Sequence, residues 1–147
     1  MEVRFAKYND FEGIMNLYEF LHPGDTLAPL NQLKNIWDEV MNDTRKYQYV
    51  VAEEDNRILA TSCITIIPNL TRKARPYAVI ENMVTHPDVR RRGIGRATMK
   101  LLLEFAKQND CYKVMLLSSN NRKTSHNFYY SMGFDGDVKR GFTYYIV

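Results

Sequence analysis

The segment from Val79 to Leu103, VIENMVTHPDVRRRGIGRATMKLLL, constrains the fold of this 147-residue chain more than any other. Residues 79–85 are rich in β-branched side chains and predict a strand. Pro87 ends that strand because proline has no N–H to donate to a neighbouring strand. Apolar residues then recur at helical spacing from Ile94 onward. The segment therefore predicts a strand, a tight basic turn and a helix.

The turn between this strand and helix has the composition of an anion site. The first N–H groups of a helix have no partners within the helix and carry the positive end of its dipole. Gly93 and Gly95 lack a Cβ, so a phosphate can approach the backbone closely. Residues 90–92 are all arginine and add fixed positive charge. The turn predicts a phosphate or pyrophosphate site, and a plain helix start with a solvated basic turn is the alternative.

Two familiar phosphate motifs do not fit this turn. The Lys-Ser/Thr pair that ends a P-loop is missing after Gly95. The third glycine of the dinucleotide-binding fingerprint is missing as well, and the unit lies in mid-chain after several predicted strands. Hydrolysis of a nucleoside triphosphate and binding of a nicotinamide dinucleotide are therefore both unsupported.

A second segment narrows the choice of ligand. Residues 122–134, RKTSHNFYYSMGF, predict a helix that ends at Gly133, where a positive φ angle favours glycine. Arg90-x-x-Gly93-x-Gly95 and this later block with its Phe-Tyr pair resemble two motifs of the GCN5-related N-acetyltransferase (GNAT) superfamily, in the same order. The resemblance implies acetyl-CoA as the bound anion and as co-substrate.

The remaining pattern predicts the order βααβββαβαβ. Strands are expected at residues 2–8, 47–53, 57–67, 79–85, 113–117 and 142–147, and helices at 11–21, 30–41, from 94 onward and 125–132. Turn signals lie at His22–Asp25 and Glu54–Asn56. The resemblance implies one α/β domain over residues 1–147. Its sheet is mixed and mostly antiparallel, flanked by helices, with central strands that splay apart to admit the pantetheine arm.

The composition of the chain limits the classes of partner that the protein is expected to bind. The net charge is +3 and its excess lies mainly in the arginine turn, which favours a small anionic ligand over nucleic acid. No apolar run is long enough for a membrane span. Cys63 and Cys111 have no CxxC spacing and are expected to be free thiols, so we expect a cytoplasmic protein. The three histidines show no metal-ligand spacing, and no metal site is predicted.

The resemblance also implies cofactor contacts, residue by residue. The backbone of Met83, Val84 and Thr85 would pair with the pantetheine arm, and an N–H near Val84 would polarise the thioester carbonyl. The residues expected at the pyrophosphate are Arg90, Arg91, Arg92, Gly93, Ile94, Gly95 and Arg96. Asn121 or its neighbour Asn120, and His126, are expected near the cofactor.

Two residues are candidates for catalysis. Tyr129 matches the family's tyrosine near the CoA sulfur and would protonate the leaving thiolate, with Tyr130 as the alternative. Glu81 would act as a base through water, because partial burial raises the pKa of a carboxyl group. The alternative to a catalytic role is a core aromatic residue for Tyr129 and a surface carboxylate for Glu81. Regular strand alternation would turn Asn82 to the face opposite Glu81.

The predicted function is acetyl transfer from CoA to a primary amine by direct attack in a ternary complex. The second motif favours a small-molecule amine. A protein acceptor, at a lysine or an N-terminus, and a non-catalytic acyl-CoA-binding module are the alternatives. The loop His22–Pro29 is a candidate substrate loop, and three basic residues at 72, 73 and 75 hint at an acidic acceptor. The apolar C-terminal strand could pair across the two-fold axis of a homodimer.

Overall fold

A computed structural model describes residues 1–147. In chain order its elements are β1 (Glu2–Phe5), α1 (Phe11–Leu21), α2 (Leu30–Asn42), β2 (Tyr47–Glu54), β3 (Arg57–Ile67), β4 (Tyr77–Thr85), α3 (Ile94–Gln108), β5 (Val114–Met115) and α4 (Lys123–Ser131). Short 3-10 turns lie at Tyr8–Asp10 and Pro87–Val89. The chain divides into two compact units, Met1–Met115 and Leu116–Val147.

The first unit holds a five-stranded sheet in the order β1-β2-β3-β4-β5. The first four strands are antiparallel neighbours and β5 runs parallel to β4, which confirms the predicted mixed, mostly antiparallel sheet. The predicted hairpin joins β2 to β3. Asp55 and Asn56 at its tip have φ angles of 52° and 60°, the left-handed pair that a tight hairpin turn needs.

Adjacent residues of β2 show which helices cover which face. Val51 packs in a core cluster with Phe11 and Trp37, from α1 and α2. Its neighbour Ala52 packs instead with Ile94, the first residue of α3. Because successive strand residues point to opposite faces, α1 and α2 cover one face of the sheet and α3 covers the other.

A buried ion pair fixes the entry to α1. Asp10 directly precedes the helix, but its carboxylate makes no capping bond there. The two carboxylate oxygens accept hydrogen bonds from the Arg4 guanidinium at 2.7 and 3.0 Å, and one also accepts the Lys7 N–H at 2.6 Å. Burial acts to raise the pKa of Asp10, but these hydrogen bonds outweigh it and hold that pKa below its usual value. Arg4 also bonds to Glu53, which ties α1 to β2 through β1.

The second unit differs from the sequence prediction at its end. Helix α4 forms, and Gly133 follows it with φ 92° as expected. The final strand predicted over Phe142–Val147 is wrong, because these residues form no strand and lie largely exposed, Tyr144 at 88%. An alternating apolar pattern becomes a strand only where a neighbour supplies backbone hydrogen bonds. The strand predicted over residues 113–117 is also shorter, and only Val114–Met115 is paired.

The longest helix, α3, has 15 residues. None of the helices has the length and apolar character needed to cross a membrane.

Candidate acetyl-CoA and acceptor site

Strand β4 extends beyond its neighbour β5. The two strands pair only at Ala78 with Val114 and at Val79 with Met115, and the Ala78 N–H donates to the Lys113 carbonyl at 3.0 Å. Residues 80–85 of β4 therefore have no β5 residue opposite them. A strand that loses its neighbour keeps a row of backbone donors and acceptors directed to that side. This divergence agrees with the splayed central strands expected from the sequence.

A β-bulge lies in this extended part of β4. Cys63 of β3 pairs with Glu81, and Thr61 pairs with Val84, so two β4 residues stand opposite the single residue Ser62. The first of the two bulged residues, Asn82, has a φ angle of 54°. Asparagine tolerates the left-handed region better than most residues do. The Glu81 carbonyl accepts hydrogen bonds from the Ser62 hydroxyl at 3.3 Å and the Cys63 thiol at 3.4 Å, which bridge the gap in the ladder.

The bulge decides which backbone groups face the open edge. Beyond it, the His86 N–H donates to the Leu59 carbonyl of β3 at 2.8 Å. Alternation along the strand then directs the N–H of Val84 towards β3 and those of Met83 and Thr85 towards the open edge. The carbonyl of Thr85 accepts a hydrogen bond from Arg90 Nε at 3.1 Å on that side. Near Val84, the N–H groups that face the open edge are therefore those of Met83 and Thr85.

The turn after β4 is held by its own side chains. His86 Nδ1 accepts the Asp88 N–H at 3.2 Å, so this histidine caps the 3-10 turn. Arg92 donates to both oxygens of Glu54 on β2, at 3.2 and 3.1 Å. Arg91 takes a positive φ of 63°. These contacts fix the path of the backbone into α3.

The start of α3 has the geometry of a phosphate cradle. Gly93 takes a φ of 79°, and its carbonyl accepts the first helical hydrogen bond, from Ala97 at 3.1 Å. The N–H groups of Ile94 and Gly95 precede that bond and so have no partner within the helix. The Ile94 side chain is buried and anchors the helix in the core, while a Cβ added to Gly93 would meet nothing within 4 Å. The backbone is open to a phosphate here, and the residues present fit the pyrophosphate of acetyl-CoA.

A cavity of about 290 Å³ lies between α1, α2, the loop after α1 and the sheet. Its wall is mostly apolar and includes Phe11, Ile14, Leu33, Ile36, Trp37 and Val40. Asn82, the bulged residue of β4, is also in the wall, so the cavity reaches the open part of the strand. The condition under which Asn82 would face away from Glu81, regular pairing of β4, is not met, because the bulge follows Glu81 directly.

Two tyrosines bring polar groups into this cavity. Tyr18 of α1 and Tyr49 of β2 both line it, and burial raises the pKa of each hydroxyl above its ordinary value. Cys63, which pairs with Tyr49 across the ladder, has a thiol whose pKa burial raises to about 11. All three groups are therefore protonated at neutral pH. The Tyr18 hydroxyl is buried near the polar groups of Tyr49 and Asn82 but makes no hydrogen bond of good geometry.

The sequence missed Tyr18 and Tyr49 as site residues. Both lie at positions whose spacing predicts core packing, and the cavity depends on the separation of α1 and α2, which carries no motif. By contrast, the predicted base Glu81 lies on β4 with an exposed side chain. Its pairing with Cys63 places it on the α1 side of the sheet.

The other predicted site residues lie in the second unit. The Tyr129 ring packs edge-on against Phe128 and Phe134, with centroids 5.5 and 6.2 Å away. Tyr130 is 48% exposed and donates its hydroxyl hydrogen to Asp137 at 3.1 Å. His126 Nε2 lies 2.9 Å from the Ser119 carbonyl oxygen. Asn121 is exposed in the turn before α4. The roles of these residues stay predictions.

Comparison with known proteins agrees with this geometry. A putative acetyltransferase from Agrobacterium tumefaciens str. C58 is 36% identical, with 99% of this chain and all of that chain covered and a TM-score of 0.91. The glucosamine 6-phosphate N-acetyltransferase of Trypanosoma brucei brucei is 29% identical over 91% of this chain and 88% of its own length. An aminoglycoside N-acetyltransferase in complex with CoA has the same fold, with 16% identity, a TM-score of 0.82 and coverage of 99% of this chain and 93% of that chain. Residues 11–134 match the Acetyltransferase (GNAT) family, which uses acetyl-CoA, and this chain therefore belongs to that family of N-acetyltransferases.

Proposed function

We propose that this protein transfers the acetyl group of acetyl-CoA to the primary amine of a small molecule, by direct attack in a ternary complex. The observation that carries this proposal is the cavity of about 290 Å³ that ends at the bulged residue Asn82. A cavity of this size holds a small molecule, whereas a peptide needs an extended groove. The relatives named for glucosamine 6-phosphate and for aminoglycosides support a small amine as the acceptor.

The first unit supplies the binding groups. The N–H groups of Ile94 and Gly95, with the arginines at 90–92 and Arg96, would hold the pyrophosphate. The N–H and carbonyl groups of Met83 and Thr85 face the open edge of β4, and all of them except the Met83 N–H would bond to the pantetheine arm as a neighbouring strand would. Acetyl-CoA supplies the activated acetyl thioester. The N–H of Met83 would donate to its carbonyl oxygen as negative charge develops there.

Each of the two candidate catalytic residues would transfer a proton. The acceptor arrives as an ammonium and must lose one proton before its nitrogen can attack, and Glu81 would take that proton through a water molecule. The nitrogen then forms a bond to the carbonyl carbon, and the carbon–sulfur bond breaks. Tyr129 would protonate the departing thiolate and recover a proton, through solvent, from the new amide nitrogen. The overall reaction releases one proton for each amide formed.

The first test is binding of acetyl-CoA by isothermal titration calorimetry. We expect micromolar binding by the wild type and its loss in Gly93→Val, because a β-branched side chain would fill the space above the cradle and resist the positive φ. Gly24→Val is the matched control, since Gly24 has a similar φ of 74° and equally open surroundings but lies outside the cradle. It should suffer the same backbone strain and still bind acetyl-CoA.

Two results would count against the proposal. Absence of acetyl-CoA binding by the folded wild type would remove its basis. Equal losses of affinity in Gly93→Val and Gly24→Val would show that strain, and not the cradle, controls binding. Turnover is then followed by release of the CoA thiol in the presence of amines.

A further inference from the structure

The wall of the acceptor cavity contains no lysine or arginine. Its ionisable side chains are the carboxylates Glu19 and Asp25, the imidazole of His22 and the hydroxyls of Tyr18 and Tyr49. Lys34 of α2 lies nearby, with Nζ 5.8 Å from the centroid of the Phe11 ring, and does not line the cavity. A phosphate group placed in this cavity would lose its hydration without gaining a lysine or arginine partner, and the two carboxylates would repel it, which is unfavourable.

The basic loop at residues 72–75 does not place a cation in the cavity wall. Arg75 donates to the Asp110 carboxylate at 3.1 Å and to the Cys111 carbonyl at 3.2 Å. The guanidinium of Arg72 lies over the Tyr112 ring, 5.7 Å from its centroid. These cations are engaged with residues around the start of β5 and are absent from the cavity wall.

Two exposed apolar side chains stand in the same wall. Leu27, from the loop after α1, is 58% exposed, and Ile36 of α2 is 59% exposed. No other part of the first unit covers Ile36 fully. Apolar area that a ligand removes from water strengthens binding. These side chains favour an occupant with an apolar body.

The Tyr18 hydroxyl is an uncharged polar group in the same cavity. It is buried beside the polar groups of Tyr49 and Asn82 but makes no hydrogen bond of good geometry to either, and such a hydroxyl is uncommon unless a ligand or water completes it. Because the phenol stays protonated at neutral pH, it can accept from an ammonium or donate to an amine nitrogen. It carries no charge that would bind an anion.

We propose that the acceptor is a primary amine on an apolar body, such as an arylalkylamine or a long alkylamine, and that phosphorylated amino sugars are excluded. This inference rests on the proposed function and specifies the substrate class of the same site. It separates this protein from the glucosamine 6-phosphate N-acetyltransferases to which it is similar. The distinction comes from the cavity wall, which joins carboxylates and apolar side chains.

The test compares four amines at saturating acetyl-CoA, with release of the CoA thiol as readout: phenethylamine, hexylamine, glucosamine and glucosamine 6-phosphate. We expect kcat/KM for phenethylamine to exceed that for glucosamine 6-phosphate by roughly tenfold or more, mainly through KM. A preference for glucosamine 6-phosphate would overturn the inference. So would binding of acetyl-CoA without turnover of either apolar amine. Loss of acetyl-CoA binding itself would instead overturn the proposed function.

Two substitutions by lysine test whether the preference for an apolar amine arises in the cavity. Ile36→Lys places a cation in the wall, and Leu70→Lys places one on the loop after β3, where Leu70 is 99% exposed and outside the cavity. We expect Ile36→Lys to raise KM for phenethylamine about tenfold and Leu70→Lys to leave it unchanged. Equal KM values in the two variants would contradict the inference. Leu27→Ala, which only shortens an exposed side chain, should raise the same KM about threefold and provides a second measurement if Ile36→Lys folds poorly.

Discussion

Arg92 donates one hydrogen bond to each carboxylate oxygen of Glu54, so the arginine turn is tied to the end of β2. The hydrogen bonds from Arg92 lower the pKa of the Glu54 carboxyl and keep it charged at neutral pH. Part of the charge of Arg92 is therefore compensated before any phosphate arrives. Arg91, one residue earlier, is exposed and enters no such pair.

This difference predicts unequal roles for two adjacent arginines. We expect Arg91→Gln to weaken acetyl-CoA binding about tenfold and Arg92→Gln to weaken it less than about threefold, because a paired guanidinium gains less from a phosphate. Titration calorimetry at low and high salt provides the measurement, and the loss in Arg91→Gln should shrink as salt screens the charge. A larger loss in Arg92→Gln would show that the Glu54 pair instead presents Arg92 to the ligand.

Tyr18→Phe separates binding from stability. The substitution removes a buried hydroxyl that makes no hydrogen bond of good geometry, so the melting temperature should stay the same or rise. If that hydroxyl contacts the amine, kcat/KM for the acceptor should fall about tenfold while the Kd for acetyl-CoA is unchanged. A drop in melting temperature without a change in acceptor KM would give the hydroxyl a purely structural role.

Tyr129 and Tyr130 form a matched pair on one helix. If Tyr129 protonates the thiolate, Tyr129→Phe should lower kcat by about a hundredfold, with little change in the Kd for acetyl-CoA. Tyr130→Phe loses only the exposed hydrogen bond to Asp137 and should keep near wild-type kcat. Steady-state kinetics across pH would show the difference, and equal effects in the two variants would remove Tyr129 from the proposed chemistry.

The Arg4–Asp10 pair predicts how stability depends on pH. The folded-state pKa of Asp10 is lowered, so its stabilising contribution is complete above its unfolded pKa of about 4 and is lost as pH falls through the folded value. Asp10→Asn should therefore destabilise the protein at pH 7, by about 2 kcal/mol, and flatten the loss of stability below pH 4.

Urea unfolding of both proteins at neutral and acidic pH measures this effect. Asp38→Asn is a suitable control, because Asp38 accepts only a hydrogen bond from the Tyr8 hydroxyl at the surface. A constant difference between wild type and Asp10→Asn at all pH values would exclude ionisation of Asp10 as the cause.

Much of the fold follows from local pattern. The β2–β3 hairpin was predictable because Asp55 and Asn56 favour the left-handed turn that joins two alternating strands. The cradle was predictable because glycines, arginines and helix periodicity meet within a few residues. The strand at Phe142–Val147 was predicted wrongly, because its alternation is visible in the sequence whereas a pairing partner is not.

The bulge and the cavity could not be predicted from the local sequence pattern. Asn82 gives no signal of its left-handed backbone, since only the register against β3 shows that one residue is extra. The cavity depends on how far α1 stands from α2, and the same apolar spacing in Leu33 and Ile36 would fit a filled core. Tertiary packing, rather than propensity, decides such features.

The bulge also sets β4 apart with respect to insertions and deletions. Asn82 and Met83 together occupy one place in the ladder, opposite Ser62. A chain lacking either residue could close into a regular strand with Val84 still facing Thr61, whereas a deletion elsewhere in β4 would turn the following side chains to the wrong face. The sheet thus has one residue more than its own hydrogen bonding requires. Such a shortened protein should remain folded and lose its function, which makes the extra residue a property of the site and not of the scaffold.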